Sequence, residues 1–152
     1  MRKIRLFALC ALLLAGCPAP PGLAQTPQPL TRSQLQSTPF DVGGLTLTLR
    51  KLDGIVRLSA DPRDVNVGFV VVRLENRTNR FAVFAPGQLV IVGKDGSQAS
   101  VGYERRAEDR VLVSEIRVAP GAHVEVQYNL TARVRFPAKV YYGDALLAEV
   151  KE

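Results

Sequence analysis

Side chains that could perform metal or nucleophilic chemistry are few in this sequence. It contains one histidine, His123, two cysteines, Cys10 and Cys17, and one methionine, Met1. Transition-metal sites draw on several His, Cys or Met ligands, and no Gly-x-Ser-x-Gly motif accompanies the lone histidine. We therefore expect no metal centre, no cofactor and no catalytic residue, and we interpret His123 as an exposed residue at the start of a strand.

Carboxylates could form two other kinds of site. Asp61, Asp64 and Asn66 offer oxygen ligands of the kind calcium prefers, but their spacing fits no calcium-binding loop and Pro62 is typical of a plain turn. A glycosidase needs two acids held on rigid elements that face one cleft. The acids of this chain fall mostly in turns or on outward strand positions, so we interpret them as solvated surface.

The densest charge cluster lies between residues 104 and 110, which show no apolar alternation. Its members are Arg105, Arg106, Glu108, Asp109 and Arg110. Loops on a rigid scaffold commonly carry binding residues, so this predicted loop is a candidate partner-binding site. A solvated connection without function is the alternative.

The first residues of the chain form a leader. A cationic start is followed by an apolar run from Leu6 to Ala15, which is shorter than the about 20 residues of a membrane-spanning helix. Leu14 to Cys17 (LAGC) then resembles the lipobox of bacterial lipoproteins. The resemblance implies that residues 1–16 are a signal peptide, that Cys17 carries the lipid, and that the protein is anchored to a membrane facing the periplasm or exterior. The alternative is a secreted soluble protein cut after Ala24.

A proline- and glutamine-rich segment follows, from Pro18 to Pro39. It has too little apolar surface to offset the entropy of ordering, so residues 17–39 are predicted to be the lipidated cysteine and a flexible tether. The formal net charge is +6, and three of the basic residues lie in the leader, which leaves a charge of +3 for the remainder. Such a small excess, without interleaved aromatic residues, argues against a nucleic-acid partner.

Residues 40–152 are predicted to form the folded domain, and from Gly44 onward successive segments show the period-two alternation of half-buried strands. Val67 to Asn79 is apolar on both sides over its first half, which predicts a central strand covered on both faces there. Turns are predicted at 51–54, at Asp95-Gly96, at Pro120-Gly121 and at Gly143-Asp144. About eight or nine short strands without an amphipathic helix predict an all-β fold, an antiparallel β-sandwich.

The domain resembles the immunoglobulin-like DUF4352 type found in bacterial lipoproteins, over roughly 44–150. The matching marks are Leu74–Thr78 (LENRT), Val90–Gly96 (VIVGKDG), Ala119–Gly121 leading into Val124–Val126, and Phe136-Pro137. The resemblance implies an immunoglobulin-like β-sandwich and carries over no catalytic residue. Asn76 and Asn129 begin N-glycosylation sequons, which are incidental in a bacterial protein, and Asn76 is predicted to close a turn.

Together these features predict a cell-envelope lipoprotein that acts as a non-catalytic binding module for an envelope protein or cell-wall partner. The alternative is a secreted or anchored inhibitor or accessory subunit of an envelope protease or secretion complex. An enzyme acting on cell-wall material is the third and least favoured hypothesis.

Overall fold

The computed structural model describes residues 28–56, 67–106, 109–112 and 114–152, with the side chains of 56, 103–106 and 109–112 excepted. The elements in chain order are α1 Arg32–Leu35, β1 Pro39–Val42, β2 Leu45–Val56, β3 Val67–Asn76, β4 Ala82–Phe84, a 3₁₀ turn Pro86–Gln88, β5 Leu89–Gly93, β6 Gln98–Arg106, β7 Asp109–Leu112, β8 Ile116–Val118, β9 His123–Leu130, β10 Ala138–Tyr142 and β11 Ala145–Val150.

The strands form an antiparallel β-sandwich, as predicted. One layer runs β1-β2-β3-β9-β6, with β7 paired to β6, and the other runs β6-β5-β10-β11. Strand β6 belongs to both layers, because its start pairs with β5 and its middle pairs with β9 across a bulge between Val101 and Tyr103. Strands β4 and β8 form a separate two-stranded sheet.

The predicted central strand is confirmed as β3, which pairs with β2 on one side and β9 on the other. Its first four residues are all buried, and Val70, Val72 and Leu74 are fully enclosed in the core. Apolar side chains from both layers and from β4 form that core, as expected where sheet faces meet. The largest enclosed ones are Tyr128, Phe84, Leu35, Leu45, Leu47, Leu49, Leu74, Leu89, Ile91 and Leu130.

Three of the predicted turns are confirmed. Gly96, Gly121 and Gly143 each have positive φ values, of 76°, 71° and 57°, at the predicted Asp-Gly, Pro-Gly and Gly-Asp positions. Glycine adopts this region without the penalty a Cβ imposes.

The turn predicted at 51–54 is wrong, because β2 continues through it to Val56. Two register shifts in the β2–β3 pairing absorb the irregular pattern, one between Leu49 and Lys51 and one between Asp53 and Val56. Gly54 lies in the strand because another segment crosses it closely. A Cβ there would stand 2.1 Å from the carbonyl oxygen of Val134.

The predicted tether ends earlier than expected, since the structure packs residues 30–39 against the sandwich. Leu30 forms a parallel bridge with Val150 at the end of β11. Thr31 then caps α1 with a capping box, in which its hydroxyl accepts from the Gln34 N–H and the Gln34 side chain accepts from the Thr31 N–H. Leu35 is buried in the core, so apolar burial stabilises this segment. Residues 17–27 lie outside the described residues.

The strand count also differs from the prediction. The described residues contain eleven strands rather than eight or nine, and β7 and β8, which follow one another along the chain, lie in different sheets. Among the described residues no helix is long and apolar enough to cross a membrane.

Candidate binding surfaces

The charged cluster at 104–110 is a β-hairpin and not the predicted loop. Arg105 and Arg106 end β6, and they pair in register with Arg110 and Asp109 of β7. The backbone pairing brings four of the predicted site residues together on one hairpin, while Glu108 lies outside the described residues. The sequence did not predict this strand pairing, because a nearly continuous run of charged residues lacks the alternation of apolar and polar residues that marks a strand.

Of the other residues singled out in the sequence, some lie outside the described residues and the rest are surface or core residues of the sandwich. Cys17 and the calcium candidates Asp61, Asp64 and Asn66 lie outside the described residues. His123 is the first residue of β9 and is exposed, as predicted. Both sequon asparagines, Asn76 and Asn129, are buried, so neither side chain is accessible to a glycosylating enzyme in the folded domain.

A cleft of about 370 Å³, here called the Arg32 cleft, opens where the chain enters the sandwich. It is lined by Arg32, Asp53, Gly54, Ile55, Lys94, Val134, Arg135, Phe136 and Glu152. The Arg32 guanidinium carbon lies 4.1 Å from the centre of the Phe136 ring, and its Nη1 lies 3.6 Å from the Asp53 carboxylate. Sequence reasoning missed Arg32, although the Thr-x-x-Gln capping signature at 31–34 marks the helix that positions it.

The charges of the Arg32 cleft are largely balanced. Asp53 is also 3.3 Å from Lys51, and Arg135 lies 3.3 Å from Asp95 in the β5–β6 turn. The hydroxyl and the backbone N–H of Ser97 donate to Asp95, and together with Arg135 they hold the pKa of that carboxyl below its usual range. Because these cations already have acidic neighbours, the cleft has little surplus charge for a ligand.

A second groove of about 370 Å³, here called the Phe81 groove, lies beside the small sheet. Gly43, Gly44, Thr78, Arg80, Phe81, Ala82 and Val83 line it. Phe81 is 59% exposed and Val83 is 43% exposed. The Arg117 guanidinium carbon lies 5.0 Å from the centre of the Phe81 ring, within cation–π range.

Strand β4 is held firmly although its outer residues are exposed. Phe84 is fully buried and stacks on Tyr142, with ring centres 5.3 Å apart, and the Ala85 N–H donates to the Tyr142 hydroxyl at 3.0 Å. Since successive residues of a strand point to opposite faces, burying Ala82 and Phe84 turns Phe81 and Val83 outward. Core packing therefore dictates the exposure of these two apolar side chains.

Asn76 shapes the neighbouring wall of the Phe81 groove. Its Oδ1 accepts from the N–H and hydroxyl of Thr78, and its Nδ2 donates to the carbonyl oxygens of Arg80 and Val118. The prediction that Asn76 closes a turn is confirmed. Beside it, hydrogen bonds from Arg77 and Arg73 lower the pKa of Glu75.

The two clefts lie at opposite ends of β2. Gly54 lines the Arg32 cleft, while Gly44, next to Leu45 at the start of β2, lines the Phe81 groove. At about 3.3 Å per residue the intervening strand spans about 30 Å. Leu30, which pairs with Val150, lies at the same end as Arg32.

Comparison with known proteins supports the class of fold. No family model matches the chain, and no curated protein matches it. Among solved structures the chain is similar to MPT63, a secreted protein from Mycobacterium tuberculosis, with a TM-score of 0.51 and 13% sequence identity. The match covers 82% of this chain and 98% of MPT63. At that identity the similarity concerns the fold alone, an antiparallel β-sandwich.

Proposed function

We propose that the chain is a non-catalytic binding module of the bacterial cell envelope, held on a membrane by lipid on Cys17. The observation that carries this proposal is the arrangement of the two ends of the sandwich. The chain enters the domain at Leu30, beside the Arg32 cleft, whereas the exposed apolar residues Phe81 and Val83 lie at the opposite end. A domain anchored through its N-terminus would thus present the Phe81 groove away from the membrane.

The length of the connecting segment fits this arrangement. Twelve residues lie between Cys17 and Leu30, and the chain from Cys17 to Leu30, fully extended, would reach at most about 45 Å. Such a reach keeps the domain close to the membrane surface but leaves room for a partner at the far end. The lipobox-like sequence LAGC at 14–17 supports the same assignment. The secreted character of MPT63 is compatible with it.

The anchor is tested by Cys17→Ser, with Cys10→Ser as the matched control in the same leader. Buried acyl CH₂ groups contribute about 0.8 kcal/mol each, so two or three chains hold a protein on a membrane while one is marginal. Wild-type and Cys10→Ser protein should partition into detergent and carry lipid on Cys17 by mass spectrometry. Cys17→Ser protein should remain an uncleaved precursor or be released soluble. Soluble wild-type protein that begins at Gln25 would contradict the proposal.

An inhibitor or accessory subunit of an envelope protease or secretion complex is the second candidate. The β6–β7 hairpin favours it, because this hairpin carries the clustered charges of Arg105, Arg106, Asp109 and Arg110 on paired strands. Proximity labelling in the native host, followed by a pull-down from envelope extract, separates the two. Recovery of a single stoichiometric protease or secretion component would favour the second candidate.

A further inference from the structure

We propose that the Phe81 groove docks an extended acidic segment of a partner protein, which adds as a strand to the outer edge of β4. This inference rests on the proposed binding function and gives it a location and a partner chemistry. Three features of the groove, each seen within the described part of the chain, carry it: an unpaired strand edge, alternating exposed apolar side chains, and cations that form no ion pair.

The outer edge of β4 is free of a partner strand in the described part of the chain. Strand β4 pairs with β8 on one side, and among the described residues no strand pairs with its other side. The Phe81 groove is lined by residues 80–83 at the start of β4 and by the Gly43-Gly44 turn. An edge strand presents unpaired backbone N–H and C=O groups, which an extended peptide can satisfy by strand addition.

The side chains along the groove have the period of a strand. Phe81 and Val83 are two of the three large apolar residues exposed in the described part of the chain, and the third, Ile55, lies in the Arg32 cleft. Because they stand two residues apart, they contact alternate side chains of an added strand. Specificity in strand addition arises from such alternate contacts.

The charges select an acidic partner. Arg80 lines the groove and Arg117 lies over Phe81, and within the described residues neither arginine forms an ion pair. Arg32 and Arg135 differ in this respect, since each has a carboxylate within 4 Å. A second copy of this chain would bring the same arginines together, which like-charge repulsion disfavours.

The test uses the purified full-length protein in nonionic detergent and an array of short synthetic peptides. Alternate positions of each peptide are Val, Ile, Phe or Thr, and the intervening positions are all Glu. A second array carries Lys in place of Glu. The best Glu peptides should bind at least about tenfold more tightly than their Lys counterparts. Arg80→Glu should weaken binding of the Glu peptides at least about fivefold and strengthen binding of the Lys peptides. Lys139→Glu, an exposed charge reversal on β10, should change neither.

Backbone pairing is tested on the peptide, so that protein folding is not at risk. In an antiparallel or parallel ladder, alternate peptide N–H groups point towards the neighbouring strand. N-methylation of one alternate set should weaken binding at least about tenfold, while methylation of the other set should change it less than about threefold. Equal effects in both sets, or no binding by either array, would overturn the proposal.

Two further outcomes would overturn it in favour of other occupants. Dimerisation of the protein that Phe81→Asn abolishes would assign the groove to a second copy. Binding of the soluble Cys17→Ser protein to anionic phospholipid vesicles, lost in Phe81→Asn, would assign it to a membrane. Failure of peptide binding leaves the anchoring test on Cys17 unaffected, so the docking proposal and the lipoprotein proposal fail separately.

Discussion

The side-chain amide of Asn76, at the end of β3, donates a buried hydrogen bond of 2.8 Å to the carbonyl oxygen of Val118, at the end of β8. Its second N–H donates to the Arg80 carbonyl just before β4. The backbone of Asn76 also forms hydrogen bonds with Ala122 and Gly121. One residue of the central strand thus fixes both strands of the small sheet, and with them the wall of the Phe81 groove.

Asn76→Ala should lower the free energy of unfolding by about 2–4 kcal/mol, because it leaves buried polar partners unsatisfied. Chemical denaturation measures this loss. Asn79→Ala, an exposed asparagine in the same turn, is the matched control and should cost less than about 0.5 kcal/mol. Equal losses in the two variants would show that the Asn76 hydrogen bonds contribute nothing specific.

Val72→Asp should unfold the domain. Val72 is fully buried in the middle of β3, and an unpaired buried carboxylate costs several kcal/mol or more, comparable to the whole stability of a small domain. Val83→Asp makes the same change at a valine that is 43% exposed, and it should leave the fold intact. A well-dispersed NMR spectrum from Val72→Asp, with little change in melting temperature, would contradict the assignment of β3 to the core.

Gly54→Ala should destabilise the domain by at least about 2 kcal/mol. The added methyl group would meet the Val134 carbonyl oxygen at 2.1 Å, and this oxygen belongs to backbone that hydrogen-bonds Gly54 itself, so one of the two segments must move. Gly87→Ala is the control, since nothing lies within 4 Å of the place its methyl group would occupy. Thermal unfolding of both variants should show a large loss for the first and almost none for the second.

Glu75 should make stability depend on pH in the acid range. Hydrogen bonds from Arg77 and Arg73 lower its pKa in the folded state from the ordinary value of 4.5. The unfolded chain then binds the proton more readily, so this contribution is complete above pH 4.5 and is lost as the pH falls through the folded pKa. The difference in melting temperature between wild type and Glu75→Gln should therefore be present at pH 7 and shrink below pH 4.5.

The control for this prediction is Glu149→Gln, because Glu149 forms no ion pair among the described residues. The Glu75 side chain is 28% exposed and its partners Arg73 and Arg77 are 36% and 75% exposed, so solvent screens these ion pairs and keeps the effect small. A difference between Glu75→Gln and wild type that stays constant from pH 7 to pH 3 would show that the two arginines do not act through charge.

Local signals explain which parts of the fold could be predicted from the sequence. The apolar run of β3, the Asp-Gly turn at 95–96 and the Pro-Gly turn at 120–121 each depend on neighbouring residues, and each was predicted correctly. Gly54 was misassigned to a turn, because only the distant segment at Val134 shows why a glycine stands in the strand.

The candidate sites depend on contacts between segments that are distant in the sequence. The Phe81 groove brings together the Gly43-Gly44 turn and β4, which are far apart in the sequence, so no local pattern marks it. In the sequence, Phe81 and Val83 look like ordinary strand residues. Their exposure becomes evident only in the structure, where Phe84 is buried against Tyr142 on the opposite face of the strand. The pairing of Leu30 with Val150 of β11 could not be predicted from the sequence either, because the two residues are 120 positions apart.

The sharing of β6 between the two layers has a consequence for how the domain opens. Its residues 98–100 hydrogen-bond to β5, and the stretch that begins at Val101 pairs with β9. Neither layer can separate from the other without breaking backbone pairings of β6. The two layers should therefore unfold together and not as independent units. Amide hydrogens in the middle of β5 and of β9 should accordingly exchange with solvent through the same global event, even though the two strands never pair with each other.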